Sequence, residues 1–87
     1  MKLLEFKILK LMISGGRDSP DTAISINELI EILPERIKKS YTTTWRHVHK
    51  LVDKGYLTCG AIVDGNSDMF YLTENGKQFF ETQHKHF

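Results

Sequence analysis

Four residues between positions 42 and 50 combine hydroxyl groups and cations at the spacing of one helix face. Thr42, Thr43, Arg46 and Lys50 fall on the same side of a helical wheel that turns by about 100° per residue. An arginine on such a face can hold guanine O6 and N7 through two hydrogen bonds, and both cations can bind phosphate. The pattern therefore favours a face that contacts nucleic acid over one that is merely solvated.

Further polar groups border this face. Lys38, Lys39 and Ser40 precede the helix, where the backbone N–H groups of the first turn point outward and attract phosphate. Tyr41 and His47 lie at the edges of the face. We include all five among the expected nucleic-acid contacts.

The distribution of charge agrees with this interpretation. Residues 35–54 contain six lysines and arginines against two acidic residues, a net charge of +4. Because the formal net charge of the whole chain is +1, the other 67 residues carry −3. A basic segment in an otherwise mildly acidic chain should attract polyanions to one side of the molecule.

The opposite side of the same helix is apolar and should be buried. Ser40 is a suitable N-cap, and Gly55 can take the left-handed conformation that ends a helix after Lys54. Trp45 lies at the border of the apolar stripe, and we interpret it as a core or interface anchor, with stacking on a sugar as the alternative. The stripe comprises Tyr41, Thr44, Trp45, Val48, Leu51 and Val52.

The elements that must hold this helix follow from periodicity and turn chemistry. Residues 2–14 form a first helix ended by two glycines, and a very short strand at residues 23–24 precedes a capping box that starts a second helix at Ser25. Pro34 stops that helix. The connection from Pro34 to the third helix is long enough for an extra turn that packs Ile37 inward. Two β-rich segments and a final helix then follow, at residues 56–63, 69–72 and 74–83.

Two fragments of the chain resemble the winged helix-turn-helix proteins. The first fragment consists of residues 42–48 (TTTWRHV) and 51–57 (LVDKGYL) and is similar to the third helix of that family. The second fragment, residues 71–77 (YLTENGK), is similar to the segment that follows the wing. The nearest relatives look like small transcriptional regulators of the MarR and PadR types. The resemblance implies one α+β domain over residues 1–87, in the order α-β-α-α-β-β-α. The implied domain has a three-helix core, a β-hairpin wing and a short C-terminal helix.

The expected wing is acidic where relatives that insert it into the minor groove often carry a cation. Its tip contains Asp64 and Asp68, and Asn66 and Ser67 between them are the residues that could donate hydrogen bonds to a phosphate. A narrow minor groove concentrates negative potential and favours cations. We therefore expect Asn66 and Ser67 to contact DNA weakly.

Apolar residues on two sides of the first helix predict a homodimer. Leu3, Phe6 and Ile13 lie away from the face formed by Leu4, Ile8, Leu11 and Met12, and adjacent Phe79 and Phe80 should not both fit into one small core. A twofold dimer would cover this surface and present two recognition helices to the two half-sites of a duplex. The expected interface consists of Leu3, Phe6, Ile13, Phe79 and Phe80.

Other functional classes lack the residues they need. The sequence has no phosphate-binding glycine loop, nucleophile motif or carboxylate dyad, so we expect no enzyme and no cofactor. His47 and His49 diverge on a helix and cannot share a metal ion, and Cys59, the only cysteine, is expected to be a small buried hydrophobe. No segment has the length and apolarity of a membrane span or a signal-peptide core, which predicts a cytoplasmic protein.

The sequence therefore predicts a non-catalytic protein that binds double-stranded DNA as a homodimer, with helix 40–54 in the major groove, and regulates transcription. The alternative is a winged-helix module for protein contact within a replication or assembly complex. The charge distribution favours DNA and the acidic wing favours protein contact. No residue pattern identifies a small-molecule effector.

Overall fold

The structure, a computed structural model, describes residues 2–60 and 69–84. Four α-helices, three short strands and two 3-10 turns follow one another in the predicted order. The helices are α1 (Leu3–Ser14), α2 (Ile26–Ile32), α3 (Tyr41–Asp53) and α4 (Glu74–His84). The strands are β1 (Ile24–Ser25), β2 (Leu57–Cys59) and β3 (Met69–Leu72), and the 3-10 turns span Pro20–Thr22 and Glu35–Ile37.

The three strands form one antiparallel sheet with β3 in the centre. Phe70 of β3 lies opposite Ile24 of β1 on one side and Cys59 of β2 on the other. Leu57 pairs with Leu72, and both side chains are buried. β1 therefore joins the segment before α2 to the hairpin that follows α3.

One hydrophobic core lies between the helices and the sheet. Ile8 and Leu9 of α1 and Leu51 of α3 have no exposed surface. Leu9 was not part of the apolar stripe predicted for α1. The buried face of α1 is therefore broader than helical periodicity indicated. The core comprises Leu4, Ile8, Leu9, Met12, Ile24, Ile26, Leu29, Leu33, Val48, Leu51, Leu57, Phe70, Leu72 and Phe80.

The serine half of the capping box predicted for α2 is present. Ser25 Oγ accepts a hydrogen bond from the N–H of Glu28 (3.1 Å), which satisfies one of the free donors at the start of α2. After α2, the turn Glu35–Ile37 places Ile37 against the core, as the length of the connection predicted. The two helices of the helix-turn-helix are thus joined by an ordered turn.

The two sequence fragments that carry the family resemblance contact each other at the end of α3. Gly55 has φ +81°, the left-handed conformation predicted for it, and its carbonyl accepts a hydrogen bond from Thr73 Oγ1 (2.6 Å). Thr73 Oγ1 also accepts from the N–H of Gly76 (3.0 Å), which starts α4. A side chain at Gly76 would overlap the carbonyl oxygen of Tyr56. These contacts fix the position of α4 relative to the end of α3.

Candidate nucleic-acid interface

The N-terminus of α3 is capped as predicted. Ser40 Oγ accepts a hydrogen bond from the N–H of Thr43 (3.2 Å) and donates to Thr43 Oγ1 (3.1 Å). Thr43 is half-buried and serves the cap. Of the two preceding lysines, Lys38 is half-buried and forms an ion pair with Glu35 (3.1 Å), whereas Lys39 is exposed. Lys39 is therefore the more available cation.

The middle of α3 displays the predicted polar face. Thr42, Arg46 and Lys50 are all exposed and follow one another at intervals of four residues, about one helical turn. Within residues 2–60 and 69–84, neither Arg46 nor Lys50 forms an ion pair. Both cations are thus available to a ligand.

His47, an expected contact, lies on the side of α3 that faces α1. Its Nδ1 is 2.6 Å from Oε2 of Glu5, and the His47 side chain is only 17% exposed. Because an ionised carboxylate can only accept, Nδ1–H donates this hydrogen bond. The structure thus uses His47 to join α3 to α1, and we leave it out of the interface proposed below.

Glu5 is a buried acidic residue that the sequence reasoning missed. Its side chain is 2% exposed, and its second oxygen, Oε1, lies 3.8 Å from Nζ of Lys54. Burial alone would raise the pKa of Glu5. The hydrogen bond and the positive charge of His47, followed by the charge of Lys54, outweigh burial and lower this pKa below its ordinary value. Glu5 therefore remains ionised inside the domain.

The other edge of α3 carries an aromatic contact of Trp45, which leaves the interface anchor and the stacking on a sugar as predictions and excludes only the core anchor. Trp45 is 39% exposed, so it is not buried as a core anchor. Its ring lies over His49 with centroids 3.9 Å apart, and His49 meets the edge of Phe70 in β3 at 5.5 Å. Tyr41, one turn before Trp45, was also expected in the buried stripe and is 42% exposed. The buried stripe of α3 is therefore narrower than predicted.

The residues expected at a dimer interface are largely covered within the chain. Phe80 is 8% exposed and belongs to the core, where its ring lies 4.9 Å from that of Phe6. Phe79 stacks on Tyr56 at 4.5 Å. Phe80 thus enters the core whereas Phe79 is only partly buried against it, and an interface with a second chain stays a prediction. Of the five interface residues, only Leu3, at 63%, is strongly exposed.

The remaining expectations concern the wing, Cys59, metal ligands and membrane spans. Asn66 and Ser67, the expected wing contacts, lie outside the described residues. Cys59 is exposed at the edge of the sheet, so the expectation of a buried thiol was wrong. In the part of the chain that the structure describes, no three His, Cys, Asp or Glu residues come together as metal ligands. No helix in the same part is both long and apolar enough to span a bilayer.

Comparison with known proteins identifies the fold. No protein-family model matches the chain, and no curated protein matches it. Solved structures that do match include TubR from Bacillus megaterium pBM400 (20% identity, TM-score 0.78, 100% of this chain and 89% of that one). Others are the oxidized form of MarR from E. coli and Bacillus subtilis PadR in complex with operator DNA.

The MarR and PadR structures are longer than this chain. The MarR match has 21% identity and TM-score 0.70 and covers 98% of this chain and 54% of that one. The PadR match has 22% identity and TM-score 0.71 and covers 95% and 47%. The chain thus spans about half the length of each. It has a winged helix-turn-helix fold, and its resemblance to MarR- and PadR-type proteins is confirmed at the level of that fold.

Proposed function

We propose that the chain binds double-stranded DNA by placing α3 in the major groove and that it regulates transcription as a homodimer. The observation that carries the proposal is the exposed face of α3, on which Thr42, Arg46 and Lys50 stand in line. Neither cation has an acidic partner among the described residues. An α-helix of ordinary diameter fits the major groove of B-DNA.

The residues of this face have different roles in the proposal. Arg46, at the centre, is placed to read base edges, for which its guanidinium has the correct geometry. Lys39 and the N–H groups of the first turn of α3 would bind backbone phosphates and fix the position of the helix in the groove. Specificity would thus depend on Arg46, and affinity for any sequence on Lys39.

One solved structure supports DNA as the ligand. This chain is similar to PadR over 95% of its own residues, and the solved PadR structure is a complex with operator DNA. In our proposal this chain has the same kind of ligand, bound at the exposed face of α3. We propose no catalytic role for it.

The homodimer would form through the exposed end of α1. Leu3 is 63% exposed, and Phe6, one turn further along, is partly buried; Ile13 is partly buried about 15 Å from Leu3 along the helix axis. Covering this apolar surface stabilises the chain by about 25 cal/mol per Å² removed from water. A twofold pair of α3 helices could then read two half-sites about one turn of DNA apart.

Salt-titrated binding to random duplex DNA tests the ligand. Neutralising phosphates releases counterions, so the logarithm of the association constant should fall with the logarithm of salt concentration, by about 0.9 per phosphate contact. Arg46→Ala should weaken binding to a selected sequence by about 1 to 3 kcal/mol and relax its specificity. Lys39→Ala should weaken all sequences alike and reduce the salt slope. Equal losses on every sequence from both variants would refute base reading by Arg46.

Sedimentation tests the dimer. Leu3→Glu is preferable to a substitution at Phe6, because Phe6 packs on the core residue Phe80. Ile32→Glu is the matched control, since Ile32 is 48% exposed on α2, away from the proposed interface. We expect Leu3→Glu to be monomeric and the control to remain dimeric. A wild-type monomer at tens of micromolar would remove the dimer from the proposal, and an absence of DNA binding would favour the protein-contact module.

A further inference from the structure

A cleft outside the polar face of α3 separates the N-terminus of α1 from the C-terminal half of α3. Its volume is about 340 Å³, and Lys2, Glu5, Lys50 and Lys54 line it. Lys50 is shared with the proposed DNA-binding face. Lys2 and Lys54 have no role in that face. Three lysines and one buried carboxylate therefore line the same cleft.

The carboxylate does not neutralise the cleft. Oε2 of Glu5 accepts the hydrogen bond from His47, and Oε1 is 3.8 Å from Lys54. Lys2 and Lys50 form no ion pair with any residue in the ranges 2–60 and 69–84. The cleft therefore keeps an excess of positive charge, and the ligand that suits it is an anion.

The position of the cleft suggests which anion. His47, Lys50 and Lys54 are separated by three and four residues, so they lie along one edge of α3, the edge that faces α1. A helix with its side chains is about as wide as the major groove, so a helix in the groove has a phosphate backbone along each edge. A duplex bound to the polar face would bring one strand towards this cleft.

We propose that the cleft binds a phosphate group, with Lys2, Lys50 and Lys54 supplying the positive charge. Lysine is a compact cation that binds phosphate as a point charge, without the planar geometry that arginine requires. The group comes from the backbone of the bound duplex or from a small free phosphate. Binding of a backbone phosphate rests on the proposed DNA-binding function, whereas binding of a free phosphate does not.

The first experiment measures the salt dependence of binding to a duplex selected from a random pool. Lys2→Gln should reduce the salt slope, and Lys2→Gln/Lys54→Gln should reduce it further, up to about 0.9, the contribution of one phosphate. Lys10→Gln is the matched control, because Lys10 is an exposed lysine of α1 outside the cleft. It should leave the slope unchanged. Since Lys54 contacts Glu5, circular dichroism must show that the double variant is folded, and Lys2→Gln alone carries the test if it is not.

The second experiment measures binding of inorganic phosphate to the DNA-free chain, by phosphorus NMR at constant ionic strength. A reduced salt slope without binding of inorganic phosphate assigns the cleft to a backbone phosphate. Binding of inorganic phosphate that Lys2→Gln abolishes and Lys10→Gln preserves assigns it to a free phosphate, and this result can be obtained even if the chain binds no DNA. A chain that binds no inorganic phosphate, and that either keeps its slope in Lys2→Gln or binds no DNA at all, overturns the proposal.

Discussion

Replacing His47 by alanine should destabilise the domain by leaving a buried negative charge without its main partner. The Glu5 side chain is 2% exposed and would keep Lys54, at 3.8 Å and itself 45% exposed, and a hydrogen bond from the backbone of Lys2. Removing one member of a buried ion pair costs about 3 to 5 kcal/mol. The open cleft beside Glu5 admits water, so we expect about 2 to 3 kcal/mol, a large part of the stability of a small domain. The melting temperature should fall by roughly 10 to 20 °C.

The loss of stability caused by His47→Ala should depend on pH in a defined direction. In the wild-type chain the contacts of Glu5 lower its pKa from 4.5, so its ionised form contributes stability that is present above that value and is lost as the pH falls through the folded-state pKa. Without His47, burial becomes the dominant influence and raises the pKa of Glu5. Acid then neutralises the buried charge in the variant. The difference in stability between the two proteins should therefore be largest near neutral pH, begin to shrink as the pH falls through the raised pKa of Glu5 in the variant, and vanish below the lowered pKa of Glu5 in the wild-type chain.

Chemical unfolding followed by circular dichroism, from about pH 8 to about pH 3, measures this difference. Glu5→Gln/His47→Ala removes the buried charge as well and should recover part of the loss at neutral pH, so the two substitutions should be strongly non-additive. Thr42→Ala, at an exposed position of the same helix, controls for the change to alanine on α3. A loss that is constant with pH, or a double variant whose cost is the sum of the single ones, would refute the role assigned to the Glu5–His47 pair.

Three further substitutions or measurements test other contacts. Gly76→Ala should destabilise the domain by about 3 kcal/mol in the same unfolding assay, because its side chain would meet the carbonyl oxygen of Tyr56. Ser40→Ala should cost about 1 kcal/mol through loss of the α3 cap, and Thr42→Ala less than about 0.5 kcal/mol; equal losses would contradict the cap. Trp45 is the only tryptophan and is 39% exposed, so acrylamide should quench the fluorescence of the free protein readily. Quenching should weaken at saturating duplex, and unchanged quenching would place α3 outside the DNA contact.

The parts of the fold that sequence predicted are those with local causes. Ser40 and Ser25 cap their helices because a hydroxyl can accept from an N–H group three residues later, and the spacing shows this without a structure. Gly55 was predicted at the end of α3 because a left-handed residue without a Cβ is needed there, and its φ is +81°. The polar face of α3 followed in the same way from helical spacing.

The buried ion pair could not be predicted with the same certainty, because its partners are 42 residues apart and lie on different helices. The sequence contained one signal. Glu5 occupies a position between Leu4 and Ile8 within the apolar pattern of α1, where a carboxylate must be paired if it is buried. Periodicity also gives the centre of a buried stripe better than its border, and Trp45 lies at the border. Its exposure depends on how closely α3 approaches the sheet.

The two edges of α3 are attached to the domain by contacts of different kinds. His47 joins one edge to α1 through a charged hydrogen bond of 2.6 Å, and His49 joins the other edge to β3 through a ring contact with Phe70. The face between them therefore has a fixed orientation before any ligand binds, which reduces the ordering cost of binding. The charged edge depends on the ionisation of Glu5 and weakens in acid, whereas the ring contact with Phe70 does not involve Glu5. Acid should thus loosen α3 along the edge that faces α1, where the lysine-lined cleft also lies.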